Sequence, residues 1–363
     1  MIHNMKINLF NLIYSSFFVI ISCSDVDLNE REKEADNLIN NFIQKNEMPG
    51  LSVTILNKDG SLEYSKGFGY ADLKKRISVN PKVSIFRIGS FSKTLAGTAL
   101  MKMYQENKIE IDSSVAFYIK ELPDDKRKIT LRQIAGHLSG IRHYGGGDDM
   151  KLNLNYVNTS DALKIFIKDT LLFEPGTKYS YSTHAWTLLS LAMENAYGEN
   201  FIDLIKKEIL IPLELNKTFA EEIDLELEDK VSFYEKNESD DIRLCSDVNN
   251  SWKWAGGGYV STTHDMANFT WKILNTNFLL PETVKEMTES QKIPNDKKTN
   301  YGVGWRIRYD NENNTYLGHT GGSVGGTTFV FSTEDKSVIS IMANISDASF
   351  GSLPYQLFKI FKN

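Results

Sequence analysis

The residues that decide the fold are Phe86–Lys93, which read Phe-Arg-Ile-Gly-Ser-Phe-Ser-Lys. They continue an extended run that starts at residue 84, and this run predicts a strand. Helical periodicity begins at Lys93 and lasts to Glu106. The stretch therefore predicts a strand that turns at a glycine directly into a helix. If that helix starts at Ser90, the side chains of Ser90 and Lys93 lie one turn apart on the same face.

Strand patterns lie on both sides of this stretch, towards the two ends of the chain. Residues 51–56 alternate between apolar and polar, Asp59-Gly60 is a hairpin turn signal, and residues 62–68 return as a second strand. Near the C-terminus we predict three further strands and a closing helix, at Val303–Tyr309, Thr327–Ser332, Val338–Ile345 and Leu353–Phe361.

Helical periodicity dominates the rest of the chain. An amphipathic helix is predicted before the first strand, and others lie between the two groups of strands: Asn29–Glu47, Lys93–Glu106, Ser160–Lys168, His184–Ala196 and Phe201–Ile209. Strands at both ends can pair into one sheet, so the fold class predicted is α/β of the α+β type, an antiparallel sheet flanked by helices with a mostly helical subdomain. We expect one domain over residues 35–363, with its sheet part at about 35–89 and 300–363 and its helical part at about 90–299.

The N-terminal residues read differently from the rest. Lys6 precedes an apolar stretch, residues 9–21, which is shorter than the roughly 18 residues of a membrane span. Residues 1–22 therefore predict a signal peptide. Ser22-Cys23 resembles a bacterial lipoprotein cleavage site, so we expect lipid on Cys23, a tether over 23–34 and an exported protein held at the membrane of the cell envelope. An ordinary signal peptide and an uncleaved anchor are the alternatives.

Composition limits the classes of partner. Hydrophobic residues make up 41% of the chain and charged residues 24%, which is the composition of a globular protein rather than a disordered one. The net charge is −6 and no basic run occurs, so no nucleic-acid partner is expected. The histidines show no metal-ligand spacing, and we expect no metal and no cofactor. The expected partner is a small-molecule or peptide substrate.

Ser90 and Lys93 are the first candidates for chemistry. A serine hydroxyl is a poor nucleophile unless a neighbouring base takes its proton, and an unprotonated amine can be that base. The free N–H groups at a helix N-terminus also stabilise developing negative charge. A capping serine followed by a surface lysine is the structural alternative.

Two further elements add to this pair. Tyr181 follows the Pro175-Gly176 turn and stands just before a predicted helix, where its phenol could move protons. Residues 318–322, Gly-His-Thr-Gly-Gly, could form a strand edge whose N–H groups supply half of an oxyanion hole. A core tyrosine and a glycine-rich hairpin are the corresponding structural interpretations.

Together, Ser90-x-x-Lys93, Tyr181-x-Thr183 and His319-Thr320-Gly321 resemble, in order and spacing, the motifs of the serine β-lactamase and penicillin-binding-protein superfamily. The likeness is to the class C-like branch, with the mitochondrial serine β-lactamase-like proteins and their bacterial relatives, and it covers about residues 35–360. Three stretches support it: Phe86–Ser90, His137–Tyr144 and Trp254–Gly258.

The resemblance implies a β-lactamase/transpeptidase-like fold and a role for each motif residue. Ser90 would be acylated, with Lys93 and Tyr181 sharing the duties of general base and acid; which of the two removes the first proton stays open. The oxyanion hole would be the N–H groups of Ser90 and Gly322. Substrate contacts are implied for Thr183, His319, Thr320 and Gly321.

Two departures from the family pattern bear on the substrate. Thr183 replaces an asparagine, and His319 replaces a lysine, which weakens a fixed positive charge for a carboxylate. The sequence therefore favours a serine hydrolase that acts on a peptide, amide or ester. The alternatives are a penicillin-binding D,D-peptidase or transpeptidase, a weak β-lactamase, and, from another class, a penicillin-recognition protein that does not hydrolyse its ligand.

One competing motif is set aside. Residues 321–325, Gly-Gly-Ser-Val-Gly, match the nucleophile elbow of α/β-hydrolases, but a helix should follow the serine, whereas residues 327–331 are strand-like and no histidine follows His319. Several residues are candidates for the cleft wall: Arg142 and His143 at its border, and Trp252, Trp254 and Tyr259, for which core packing is the alternative.

Overall fold

The computed structural model describes residues 23–145 and 153–362. The predicted signal peptide, residues 1–22, lies outside the described residues. The α-helices are α1 (Cys23–Asn46), α2 (Ser92–Gln105), α3 (Leu131–Ala135), α4 (Thr159–Ala162), α5 (His184–Tyr197), α6 (Phe201–Ile205), α7 (Trp254–Gly257), α8 (Thr263–Asn275), α9 (Pro281–Thr288) and α10 (Leu353–Phe361). The strands are β1 (Gly50–Leu56), β2 (Leu62–Asp72), β3 (Ile77–Ser78), β4 (Phe86–Arg87), β5 (Phe219–Ala220), β6 (Tyr234–Lys236), β7 (Ile242–Leu244), β8 (Tyr259–Ser261), β9 (Lys292–Ile293), β10 (Lys297–Lys298), β11 (Arg306–Tyr309), β12 (Thr315–Ser323), β13 (Gly326–Thr333) and β14 (Val338–Ala343).

A seven-stranded antiparallel sheet forms the centre of the molecule, in the order β11-β12-β13-β14-β1-β2-β3. The two ends of the chain meet in it, because β1 pairs with β2 on one side and with β14 on the other. In that register Leu51 stands opposite both Phe68 and Ala343. The predicted antiparallel sheet, built from both ends of the chain and flanked by helices, is confirmed.

Both faces of the sheet are covered, and β1 shows why. Val53 and Ile55 project into a cluster closed by α1 and α10, which includes Ile39 and Leu357. On the other face Ser52 Oγ lies 2.7 Å from Thr263 Oγ1 at the start of α8. Every residue of β1 is therefore buried, since each face of the strand packs against a helix.

Helix α2 lies in the second core, between the sheet and the helical block. Its residues from Ser92 to Met101 are all buried, so this helix has no solvent face over its first three turns. Gly97 permits close packing, because a Cβ there would lie 2.4 Å from the carbonyl oxygen of Val303. The first three turns of helix α2, which follow Ser90, are thus enclosed by packing on every side.

The run at residues 84–88, predicted as a strand, forms a shorter strand outside the main sheet. Only Phe86 and Arg87 form a strand, and this strand pairs with β8 in a separate sheet of order β4-β8-β5. The chain then turns sharply, because Gly89 has a φ of +49°, and a 3₁₀ turn over Gly89–Phe91 leads into α2. Strand-like sequence alone does not identify the strand's partner.

Three other elements differ from their predicted bounds. Helix α1 starts at Cys23, so residues 23–34 are helical rather than a tether, because they contain no glycine or proline and several good helix formers. The predicted helices 160–168 and 201–209 are each shorter and continue as a 3₁₀ turn and a π turn, Leu163–Ile165 and Lys206–Leu210. Across the described ranges, no helix combines the length and apolarity needed to cross a membrane.

Candidate active site

Ser90 lies in the 3₁₀ turn that opens α2, directly against strand β12. A Cβ on Gly89 would lie 2.6 Å from the carbonyl oxygen of Gly322, so only glycine allows this approach of turn to strand. The Ser90 side chain is partly exposed, whereas Lys93, one turn further along, is 0% exposed. The local fold therefore presents a hydroxyl to a cleft and places an amine beneath it.

The Lys93 amine is held by three oxygen atoms. Its Nζ lies 3.1 Å from Ser90 Oγ, 3.1 Å from Thr183 Oγ1 and 2.5 Å from the carbonyl oxygen of Gly256. A neutral amine has two N–H donors and one lone pair. It can donate to Thr183 and Gly256 while its lone pair accepts the hydrogen of the Ser90 hydroxyl.

Electrostatics favour this neutral form. Burial lowers the pKa of Lys93 well below 10.5, and the positive charges of Lys253 and Arg306 lower it further. Within the described ranges no carboxylate forms an ion pair with Lys93, so no negative charge there offsets the cost of burying its charge. The amine beneath Ser90 is thus suited to accept a proton near neutral pH.

Tyr181 completes the group. Its ring centroid lies 4.9 Å from Lys93 Nζ, and its phenol interacts with the Ser90 side chain. Burial raises the pKa of Tyr181 above its usual value near 10, so the phenol keeps its proton at neutral pH. The structure therefore brings Ser90, Lys93 and Tyr181 together, with one group able to take a proton and one able to give it.

The edge of β12 forms the opposite wall. Strand β11 pairs with β12 only as far as Gly318, so from His319 onwards this edge faces the Ser90 turn instead of another strand. A Cβ on Gly321 would lie 1.9 Å from the carbonyl oxygen of Ile88. Residues 315–317 and the glycine-rich segment after them form one continuous strand, with Gly322 exposed beside the turn.

Thr183 and His319, which the family resemblance implies as substrate contacts, are both buried and contact other protein groups. Thr183 is 0% exposed, and its hydroxyl contacts Lys93, so it orients the lysine. His319 is 1% exposed; its Nε2 lies 2.9 Å from Tyr301 Oη, and its Nδ1 hydrogen-bonds with the carbonyl oxygen of Thr320. With both ring nitrogens engaged and a pKa lowered by burial and the charge of Arg306, the His319 ring is neutral near pH 7.

His137 is a site residue that the sequence did not identify. Its ring packs against Tyr181, with the centroids 4.2 Å apart and the planes tilted by 39°. Its Nδ1 accepts a hydrogen bond from the Ser182 N–H at 3.1 Å, and its carbonyl oxygen accepts one from the Ser180 N–H at 3.0 Å. His137 therefore holds the backbone on both sides of Tyr181, and its left-handed φ of 63° makes this reach possible.

Lys253 and Arg306 are two cations near the site that the sequence analysis also did not identify. Arg306 lies over the ring of Tyr181, its guanidinium carbon 5.5 Å from the ring centroid. Lys253 packs beside α7, where a Cβ on Gly257 would lie 3.9 Å from its Cδ. Neither position belongs to a motif, because the fold, rather than the spacing, brings them to residues 90 and 93.

The aromatic candidates for the cleft wall separate into two groups. Trp252 and Tyr259 are each 1% exposed and belong to the core, whereas Trp254 is partly buried and borders a cavity of about 430 Å³ with residues 155–157 and 222–225. His143 does lie at the site, because its Nδ1 accepts a hydrogen bond from the Thr183 N–H at 3.1 Å. Its neighbour Arg142 turns away to Asp169, with Nε 2.6 Å from the carboxylate.

An antiparallel sheet flanked by helices, with a serine and a lysine at the start of the central helix, defines the β-lactamase/transpeptidase fold class. The chain belongs to the beta-lactamase family, whose profile matches residues 35–359. It is 27% identical to the mitochondrial serine beta-lactamase-like protein LACTB of Mus musculus, over 77% of this chain and 68% of that protein.

Solved structures share the fold at lower identity. The D-amino acid amidase of Ochrobactrum anthropi SV3, complexed with D-phenylalanine, superposes with a TM-score of 0.79 at 19% identity, over 93% of this chain and 99% of that one. The octameric penicillin-binding protein homologue from Pyrococcus abyssi gives a TM-score of 0.74 at 24% identity, over 87% of this chain and 73% of that one. The chain is thus a member of a family of serine hydrolases.

Proposed function

We propose that this protein is a serine hydrolase that acts on a peptide, amide or ester through an acyl-enzyme on Ser90. The observation that carries the proposal is a buried amine, Lys93 Nζ, 3.1 Å from a partly exposed hydroxyl, Ser90 Oγ. A base within hydrogen-bond reach of a nucleophile is the geometry that acyl transfer requires.

In the first half of the proposed reaction, Lys93 is the base and Tyr181 the acid. Lys93 Nζ takes the hydroxyl proton as Ser90 Oγ bonds to the carbonyl carbon, and the carbonyl oxygen becomes an oxyanion beside the N–H groups of Ser90 and Gly322. As the bond to the leaving group breaks, Tyr181 gives that group its proton, and Lys93 reprotonates the phenol. The opposite pKa shifts of the two side chains support this division of roles.

In the second half, water attacks the acyl group under the same base. The water gives one proton to Lys93 Nζ and its oxygen to the carbonyl carbon; the Ser90 Oγ–carbon bond breaks, and Ser90 Oγ regains a proton. The products are a carboxylic acid and the free enzyme. An amine in place of water would make the same site a transpeptidase, so the acceptor is an outcome of the test below.

The buried His319 supports an amidase, peptidase or esterase over an efficient β-lactamase. A β-lactam carboxylate would need a cation at this strand, and the neutral, hydrogen-bonded imidazole does not supply one. Among solved proteins of this fold are a D-amino acid amidase and EstCE1, a hydrolase with promiscuous acyltransferase activity.

The test is a substrate panel with the Ser90→Ala protein as blank. A chromogenic cephalosporin, short-chain esters, D-amino-acid amides and peptides are offered with water or an added amine as acceptor. We expect ester and amide hydrolysis that Ser90→Ala abolishes, and labelling of Ser90 by a fluorophosphonate. A mutant that is still labelled, or a wild-type protein that binds penicillin covalently and releases nothing, overturns the proposal.

We further propose that the protein is exported and anchored through lipid on Cys23. The support is the apolar run at residues 9–21 followed by Ser22-Cys23. Globomycin should block processing at Cys23, and Cys23→Ser should remove incorporation of labelled fatty acid. Processing that is indifferent to both changes would contradict the anchor.

A further inference from the structure

The ammonium of Lys253 lies next to the site, and the proposed function assigns it no role. This side chain is 3% exposed, and burial lowers its pKa to about 8, so it is mostly protonated at neutral pH. In the described residues its nitrogen has no hydrogen bond and no ion pair; it contacts only aromatic rings, Trp252 at 5.0 Å and Tyr144 at 5.8 Å from their centroids. A buried cation of this kind is costly unless an anion joins it.

Glu221, a carboxylate whose charge acts on Lys253, is engaged by other donors. Glu221 accepts from Arg87 Nε at 2.8 Å and from Asn250 Nδ2 at 2.7 Å, and it lies 3.6 Å from Lys230 Nζ. Its oxygens are therefore engaged by three other donors. The charge of Glu221 raises the pKa of Lys253, but the two side chains form no ion pair.

Lys253 adjoins the reacting groups. Its stem passes Gly257, next to the Gly256 carbonyl that holds Lys93, and a Cβ on Gly257 would also lie 3.6 Å from the carbonyl carbon of Gly89. Its charge reaches Lys93, whose pKa it helps to lower. Tyr144, which lies over it, stacks on His143 beside Tyr181.

We propose that the Lys253 ammonium binds a carboxylate of the substrate, so that the enzyme selects anionic acyl donors over neutral ones. This inference rests on the proposed function. It places the specificity-determining cation on the α7 side of the cleft, because His319, on the β12 side, is buried and neutral. A charge-assisted hydrogen bond to a desolvated lysine gives strong discrimination between a carboxylate and a carboxamide of the same shape.

The experiment compares matched pairs in which a carboxylate is exchanged for a carboxamide. N-acetyl-aspartyl and N-acetyl-asparaginyl aminomethylcoumarin place the group in the acyl part; 4-carboxyphenyl and 4-carbamoylphenyl acetate place it in the leaving group. The readouts are kcat/KM and the protection of Ser90 from a fluorophosphonate by N-acetyl-aspartate against N-acetyl-asparagine. The variants are Lys253→Met, Arg306→Gln and, as matched control, Lys230→Met, which removes a lysine that contacts the same Glu221 away from the cleft.

We expect the wild type to prefer the carboxylate in one pair, and Lys253→Met to reduce that preference by at least about thirtyfold. Lys230→Met should keep the preference. Taking the ratio within a pair removes any effect of Lys253 on the basicity of Lys93, because both members of the pair use the same base.

Three results overturn the inference. The first is a wild type that is labelled at Ser90 but prefers the carboxylate in neither pair. The second is a carboxylate preference that is lost in Arg306→Gln and kept in Lys253→Met, and the third is an equal fall of kcat/KM for both members of each pair in Lys253→Met. Failure of the proposed function is distinguishable from these, because Ser90 would then not be labelled in any protein.

Discussion

At the scale of single residues, burial without a counter-ion determines the chemistry. Among the described residues, Lys93 is enclosed by oxygen acceptors and two nearby cations but no carboxylate, so its proton affinity falls and the neutral amine is favoured. Tyr181 is also buried, and burial has the opposite effect on a phenol, which holds its proton more firmly. The same physical cause thus favours a neutral amine and a neutral phenol side by side.

Lys253 should give the carboxylate preference a characteristic pH dependence. The side chain is charged below its pKa of about 8 and neutral above it, so the preference for a carboxylate over a carboxamide should decline as the pH rises past about 8. Measuring kcat/KM for one matched pair across this range checks the prediction. A carboxylate preference that stays constant until the pH reaches the usual pKa of a lysine would contradict the prediction.

His137 should act as a positioning residue for Tyr181. In His137→Asn the ring that packs against Tyr181 is lost, and we expect kcat to fall about tenfold or more with little change in KM, because the phenol is no longer held against Ser90. The comparison of kcat with KM separates this role from loss of folded protein, which active-site titration with a fluorophosphonate corrects for. Unchanged kcat per titrated site would show that Tyr181 needs no such support.

At the scale of elements, the site depends on how closely the Ser90 turn approaches strand β12. Gly321 packs on the Ile88 carbonyl, and Gly89 packs on Gly322, so neither position has room for a side chain. This contact holds the backbone of the Ser90 turn against residues 321 and 322 of β12. The proposed oxyanion hole therefore depends on two glycine contacts.

Gly321→Ala should separate the two elements. The added methyl would lie 1.9 Å from a backbone oxygen, so strand or turn must move, and we expect acylation of Ser90 to slow by about a hundredfold or more, the effect of losing one oxyanion-hole donor. The rate is measured by intact mass under single turnover, with the thermal midpoint as control for folding. A variant as fast as the wild type would show that this contact does not shape the site.

The sequence predicted the elements better than their partners. The strands at both ends, the helix after residue 92 and the Ser90, Lys93 and Tyr181 group follow from local spacing and motif. The two-residue strand β4, its pairing with β8 and the burial of His319 depend on contacts between distant parts of the chain. Lys253 was missed for the same reason, since 160 positions of sequence separate it from the lysine that it faces.

At the scale of the whole molecule, a buried arginine next to the site links the small sheet of β4, β8 and β5 to the main sheet. Arg87, just before the Ser90 turn, donates to Glu221 at 2.8 Å and to the carbonyl oxygen of Val324, in the β12–β13 hairpin, at 2.7 Å. The two side chains are 7% and 6% exposed. The position of the nucleophile therefore depends on contacts from both parts of the fold.

Glu221→Gln should destabilise the whole protein. It leaves the Arg87 charge buried without its partner, and we expect a loss of roughly 3–5 kcal/mol in the free energy of unfolding, measured by urea denaturation. The control is Glu312→Gln, which breaks an ion pair with Lys359 whose partners are each 62% exposed, and should leave the urea midpoint nearly unchanged. Equal effects of the two substitutions would contradict this account.

The most direct test of the central claim is the pH profile of Ser90 labelling by a fluorophosphonate, in the wild type and in Lys93→Met, with Lys102→Met on the outer part of the same helix as control. A neutral Lys93 as base predicts that the wild-type rate falls as the pH drops through a pKa well below 10.5. Lys93→Met should be slower by about a hundredfold or more, and Lys102→Met should follow the wild type. Equal rates in Lys93→Met and the wild type, or a wild-type rate that keeps rising up to the ordinary pKa of lysine, would contradict it.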